Sequence, residues 1–193
     1  DLAKVKEVME RYKKRGIGLN ETVAGEEWSP LSVAVDGGNE PLIRLLVGEG
    51  GVDLNTTLPY PVLISTAFSG DVKTAQLLIE LGASVETAQT TDMFTALHII
   101  CQEAELEEKV GETAVVAFME LLLKHGAQIE ATTSTGQTPM HFAAQWANLV
   151  AVRMLLENGA RVDGNEGSTR GTPLRSAVAG RNGTRGLAVM ELL

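Results

Sequence analysis

One short pattern recurs along these 193 residues and constrains the fold more than any other feature. A small-hydroxyl or turn residue, often Pro, and then an apolar residue occur at Ser29-Pro30-Leu31, Pro61-Val62-Leu63, Thr138-Pro139-Met140 and Thr172-Pro173-Leu174, and Thr95-Ala96-Leu97-His98 fits between them. The aligned residues Leu31, Leu63, Leu97, Met140 and Leu174 are spaced by 32, 34, 43 and 34. A near-constant period of this size signals a repeat architecture, in which no single unit can bury its apolar face alone.

Each unit continues alike, with a short apolar helix, a break, and a second helix that ends in paired apolar residues and Gly. The pairs are Leu46-Val47, Leu78-Ile79, Leu122-Leu123 and Leu155-Leu156, followed by Gly50, Gly82, Gly126 and Gly159. From the aligned apolar residue to that Gly is 19 residues in the first, second and fourth units and 29 in the third. A ten-residue insertion between the helices of the third unit accounts for the long interval. Pro suits the first helical position, where its missing N–H has no partner, and the preceding Ser or Thr caps exposed backbone donors. Asn39-Glu40-Pro41, Asp71 and Asn148 start the second helices by the same capping chemistry. The closing Gly is expected in the left-handed conformation.

Thr138-Pro139-Met140-His141-Phe142-Ala143-Ala144, followed by Leu155-Leu156-Glu157-Asn158-Gly159-Ala160, is similar to the ankyrin repeat. Leu121-Leu122-Leu123-Lys124-His125-Gly126-Ala127 and Leu77-Leu78-Ile79-Glu80-Leu81-Gly82-Ala83 repeat its second half. The tetratricopeptide unit has a similar period, about 34 residues, but lacks this opening and ending. The resemblance implies an all-α ankyrin-repeat solenoid of stacked helix-turn-helix units with β-hairpin loops. It places one domain over 1–193: a leading half repeat at 1–24, then 25–56, 57–90, 91–133 with the insertion, 134–167 and a truncated 168–193. Met9, Tyr12 and Gly16 to Asn20 match a second helix and its ending, with Lys13 where a buried Leu would otherwise sit. A charge there suits an exposed end of a stack. Asp1 opens directly into the helix pattern and Leu192-Leu193 stops at the paired apolar residues, so the chain reads as part of a longer protein.

Sixteen Lys and Arg against 25 Asp and Glu leave a net charge of −9, unevenly spread. Residues 1–15 carry +3 (six basic, three acidic), 16–152 carry −14 (four and eighteen), and 153–193 carry +2 (six and four). Such a surface repels a phosphate backbone and attracts basic peptides, so a protein or peptide partner, basic and apolar, is expected and nucleic acid is not. Acidity also serves solubility alone. No apolar run reaches the roughly 18 residues of a membrane helix, so no membrane partner is expected. The lone Cys101 can form no internal disulfide, and an intracellular location is expected.

Catalytic, metal and cofactor roles are not supported. His98 and Cys101 are three residues apart, but a closed zinc site wants four converging ligands. The resemblance instead gives His98 and His141 a structural hydrogen bond to neighbouring backbone. His125 precedes Gly126 at a helix C-terminus, where a cation suits the dipole, and Cys101 reads as a small core residue. The third unit has Ile100-Cys101 where the family has a pair of Ala, which implies wider or shifted packing there. Gly180 to Gly186 lacks the Gly-Lys-Ser/Thr ending of a phosphate loop, and reads as a three-residue enlargement of the inter-helix turn in the last unit. No enzyme, cofactor or small-molecule substrate is expected within the stack. The rival reading is a targeting or regulatory ankyrin arm of a larger enzyme, channel or receptor.

Family resemblance places partner binding on a concave face, reached from two places in each unit. The residue two before the opening Pro or its equivalent is Trp28, Tyr60, Phe94, Gln137 or Gly171. The pair after the small residues of the first helix is Asp36-Gly37, Phe68-Ser69, Gln102-Glu103 or Gln145-Trp146, the last unit being too irregular to align. Of eight aromatic residues, Trp28, Tyr60, Phe68, Phe94 and Trp146 fall at these places. Aromatic residues on an open surface are the usual anchors of interfaces, and Phe68 and Trp146 are the sharpest candidates because loop aromatics also pack on the next loop. The acidic insertion, Glu103 to Thr113, reads either as a second contact surface or as a solvated helix extension.

Overall fold

A computed structural model describes residues 2–16, 18–19, 29–56, 60–89, 91–104, 111–163, 169, 171–180 and 183–193. Eleven helices are formed by these residues. They are α1 (Leu2–Lys14), α2 (Pro30–Asp36), α3 (Glu40–Gly48), α4 (Val62–Ser69), α5 (Val72–Glu80), α6 (Ala96–Gln102), α7 (Glu112–Lys124), α8 (Pro139–Gln145), α9 (Leu149–Glu157), α10 (Pro173–Ala179) and α11 (Gly183–Leu192). After α1, short and slightly longer helices alternate as antiparallel pairs. The short helices α2, α4, α6, α8 and α10 pack side by side in one row, and α5, α7, α9 and α11 form a second row behind it.

Local capping starts these helices where the sequence places them. The Ser29 hydroxyl accepts from the Ser32 N–H at 3.1 Å, and the side chains of Asn39, Asp71, Asn148 and Thr172 accept from Leu42, Thr74, Ala151 and Arg175. Layers between pairs are filled by the aligned residues Leu31, Leu63, Leu97 and Met140, all buried, and by the first member of each apolar pair, Leu46, Leu78, Leu122 and Leu155. Burying such a side chain contributes roughly 1.5–3 kcal/mol, so the layers outweigh anything a seven-residue helix provides by itself. Ile100 and Cys101 are both fully enclosed, so the third unit keeps a closed layer with bulkier residues in it.

Three details depart from the sequence reading. Among the described residues no strand is formed; the loops reverse through turns, with Thr133 N–H donating to the Gln137 carbonyl at 3.0 Å and Gln89 bonded likewise to Phe94. The second backbone bond in each loop, Gly136 N–H to the Thr133 carbonyl and Met93 N–H to the Gln89 carbonyl, closes a turn and does not extend a β-ladder. In the first unit the left-handed residue is Gly51 (φ 63°), not Gly50, while Gly82, Gly126 and Gly159 behave as expected. One extra residue follows α3, and Val52 N–H bonds to Leu46 where Ala83 bonds to Leu78. Gly50 is needed for another reason, since a Cβ there would collide with the Leu46 carbonyl.

The last unit carries no enlarged turn. α11 begins at Gly183, nine residues after Leu174, as α3, α5 and α9 begin nine after Leu31, Leu63 and Met140. The apolar pair of that unit is therefore Val189-Met190, with Val189 fully buried and Met190 half-buried like their equivalents; Leu192-Leu193 lies beyond it. In the third unit α7 starts ten residues before Leu122, whereas α5 and α9 start six before Leu78 and Leu155. Four inserted residues thus add about one turn to α7, and Glu112 and Thr113 at its start are exposed. Glu105, Glu107, Glu108 and Lys109 lie outside the described residues.

Polar side chains tie neighbouring units together. His98 Nδ1 accepts from the Thr95 N–H at 3.2 Å, which leaves Nε2 as the protonated nitrogen, donating to the carbonyls of Ala131 (3.1 Å) and Gln137 (3.3 Å). His141 repeats the arrangement one unit on, between the Thr138 N–H and the Gly171 carbonyl (2.8 Å). Burial pushes the pKa of His98 down to about 4. Behind the second helices, Asn55, Glu86 and Glu130 each accept a backbone N–H from the following unit, from Ser84, Gln128 and Arg161 respectively. Two of the acidic residues of the middle segment are thus committed to the stack.

Candidate binding groove

The candidate surface is the angle between the loop tips and the row of short helices. The tip 133–137 is held by its own side chains: Thr135 donates to Gln137 Oε1 at 3.1 Å, and the Gln137 N–H donates to Thr133 Oγ1 at 3.2 Å. Ser134 N–H donates to the Asp92 carbonyl of the preceding tip (3.0 Å), and Thr169 N–H to the Thr135 carbonyl (3.2 Å). Consecutive tips therefore form a bonded rim. Where this rim meets the ends of α6 and α8 it leaves an open recess of about 270 Å³.

That recess brings together five residues singled out from the sequence. Phe94, Gln137 and the ends of two short helices, Gln102 and then Gln145 with Trp146, all line it. Trp146 is 44% exposed. Phe94 is half-buried and packs edge-on against His98 and Phe142 (centroids 5.8 and 4.9 Å), so it forms wall as well as surface. Phe68, at the end of α4, lies outside the recess and is 42% exposed. Asp36, at the end of α2, is exposed and accepts from the Ser65 hydroxyl of the next unit at 2.7 Å. Tyr60 is half-buried against the core, Glu103 is half-buried at the end of α6, and Trp28 lies outside the described residues.

Sequence reasoning did not single out Asp92 or Phe142, which line the same recess. Asp92 is a tip residue adjacent to Met93, whose φ of 58° turns the loop where Gly136 turns the next one. The equivalence of Met93 with Gly136, each one residue before Phe94 or Gln137, was the available signal. A larger recess of about 490 Å³ lies between α1 and the end of α3, with Lys6 and Glu49 paired at 2.6 Å. Its described lining is balanced in charge and holds no aromatic residue. Among the described residues, no helix is long and apolar enough to cross a membrane, and no group of His, Cys, Asp and Glu could hold a metal ion.

A family profile described as "Ankyrin repeats (3 copies)" matches residues 63–166 and 113–185. The chain belongs to the ankyrin-repeat family. Ankyrin repeats are in general protein–protein interaction modules. This ankyrin-repeat chain is 36% identical over 93 residues, 44% of its length, to human "Ankyrin repeat and SOCS box protein 16", of which the match covers 20%. It is 27% identical over 155 residues, 78% of its length, to human "B-cell lymphoma 3 protein", of which the match covers 33%. The aligned part thus spans a third or less of either relative.

Proposed function

We propose that this ankyrin stack is a non-catalytic module that binds an extended, basic and apolar segment of a partner protein along the groove between its loop tips and short helices. The observation that carries the reading is the exposure of Phe68 and Trp146, 42% and 44%, at the ends of α4 and α8 in a chain with only eight aromatic residues. Rings of this size left in water serve as interface anchors, because their burial against a partner supplies most of the binding energy. The charge of −14 over residues 16–152 supports a basic partner and opposes nucleic acid. The family, whose repeats generally bind proteins, supports the same class.

The test is a partner recovered by affinity capture, purified and titrated calorimetrically against the wild-type chain and a Phe68→Ala, Trp146→Ala variant. Truncating true anchors costs at least about 2 kcal/mol, roughly a 30-fold loss of affinity. A variant that keeps its helical signal and binds the partner unchanged sinks the proposal.

A second reading is an ankyrin arm that targets or regulates a larger protein. The specific observation in its favour is the length of the relatives, one of which carries a SOCS box by its name, beside the small share that this chain matches. The full-length gene product decides it: a flanking catalytic or membrane domain supports the arm, and further repeats alone oppose it.

A further inference from the structure

The last unit departs from the other four at positions that are closed elsewhere in the stack. Leu174 is 45% exposed, whereas its equivalents Leu31, Leu63, Leu97 and Met140 are at most 3% exposed. Val178, one turn further along α10, is 66% exposed, and its equivalents Val35, Ala67, Cys101 and Ala144 again reach no more than 3%. Two cations stand at such positions as well. Arg175 is exposed where Ser32, Ile64, His98 and His141 are buried. Arg185 of α11 is exposed where Leu42 is half-buried and Thr74, Phe118 and Ala151 are buried. The end of a repeat stack that meets only water carries a polar outer face. This end instead presents two apolar side chains one helical turn apart, accompanied by arginine.

We propose that the end face formed by α10 and α11 docks an amphipathic helix of a partner protein, whose apolar side chains are flanked by Asp or Glu. Shape argues for a helix. Met140 and Ala144, the same pair one unit earlier, are buried where α10 packs on α8, so the face continues a layer that a helix closes. Charge argues for acid. A further repeat of the same kind would enclose Arg175 in the place of His141 and Arg185 in the place of Ala151, and an arginine taken out of water without a carboxylate is strongly unfavourable. A helix that brings carboxylates satisfies both guanidinium groups through charge-assisted hydrogen bonds while its apolar side chains cover Leu174 and Val178. A second copy paired symmetrically through this face would set arginine against arginine. Residues 153–193 carry +2 against −14 over 16–152, so this end selects a partner opposite in charge to the one that suits the groove.

The experiment selects a phage-displayed library of helical peptides on the whole chain, with counter-selection on a Leu174→Gln, Val178→Gln variant, and then titrates the best synthetic peptide. Selection is expected to enrich Asp or Glu beside apolar residues spaced by three and four. Leu174→Gln, Val178→Gln and, separately, Arg175→Gln, Arg185→Gln should each weaken that peptide about tenfold. Leu187→Gln should bind it as the wild type does, because Leu187, though 58% exposed, stands where Arg44, Gln76, Glu120 and Arg153 face water in the other units. Circular dichroism verifies that each variant is folded, and Arg175→Gln alone remains decisive if the double arginine variant is not. A selection without peptides that distinguish the wild type from the counter-selected variant overturns the proposal. So do peptides that lack acidic enrichment and ignore the arginine variants, or that Leu187→Gln weakens equally. In sedimentation the wild-type chain should be monomeric; a dimer that Leu174→Gln, Val178→Gln dissociates assigns the face to a second copy and overturns the proposal. A full-length gene product that refuses the peptide covers the face with its own chain and overturns it too. The groove reading stands in each of these cases, since Phe68 and Trp146 are untouched.

Discussion

The ring of Phe94, in the loop ahead of α6, meets the ring of Phe142 in α8 edge-on, with centroids 4.9 Å apart and planes inclined by 63°. His98 stands edge-on to both. Three rings from two units thus form one wall behind the recess, and the wall is fixed by the same His98 whose Nε2 reaches the next loop.

Phe94→Ala is therefore expected to destabilise the fold, unlike substitutions at the exposed anchors. Losing an aromatic pair forfeits about 0.5–1.5 kcal/mol beyond the buried area itself, whereas surface substitutions stay within about 0.5 kcal/mol. Urea unfolding of Phe94→Ala beside Phe68→Ala checks this. Equal midpoints for the two variants contradict the wall.

Stability should fall with pH between 6.5 and 4 because of His98. Its folded pKa, about 4, lies below its unfolded value of 6.5, so in that window the unfolded chain takes up the proton first. The contribution is complete above pH 6.5, and by pH 4 its loss is on the order of 3 kcal/mol. Unfolding midpoints of wild type and His98→Gln over that range test it, since carboxylates titrate in both. Parallel curves refute the assignment.

Asn148 does two jobs, accepting from Ala151 N–H at 2.9 Å as a cap and donating from Nδ2 to the Ile100 carbonyl of the preceding unit at 3.2 Å. Asn148→Asp keeps the cap and loses the donor, leaving a buried carbonyl unsatisfied at a cost of about 1–3 kcal/mol. Asp71→Asn, an exchange at a cap without such a second bond, should change stability little. Comparable losses in the two variants argue against the cross-unit bond.

Met93 holds φ at 58°, the region occupied by Gly136 in the following tip, and its side chain is 53% exposed. Met93→Gly should stabilise the chain by up to about 1 kcal/mol, because the relief of left-handed strain exceeds the added freedom of the unfolded chain. A lower unfolding midpoint in the variant contradicts this.

Much of the fold was legible because its signals are local and recur in phase. Ser29, Asn39, Asp71, Asn148 and Thr172 announce caps within three residues of the groups they bind, and His98 and His141 occupy one repeat position with one bonding pattern. Phe68 and Trp146 were legible as outward residues for the same reason. The last unit was misread because Leu192-Leu193 imitates the apolar pair; only burial distinguishes it from Val189-Met190, three residues earlier. Gly50 was misread because a one-residue shift after α3 moves the left-handed turn to Gly51 without changing the motif.

The sequence by itself determined most of the unit: where α2, α3, α5, α8, α9 and α10 start, which apolar residues of the first four units enter the layers, and that Phe68 and Trp146 stay outside. Only tertiary structure decided what neighbouring units make together. Asp92 and Phe142 line one recess although 50 residues apart, Glu86 and Glu130 serve the stack rather than the surface, and the Gln137 amide nitrogen is left without a partner among the described residues. The physical reason is that capping and helix formation act within a few residues of chain. The depth of a recess and the satisfaction of a buried donor depend instead on atoms contributed by the adjoining repeat, whose distance in sequence varies with each insertion.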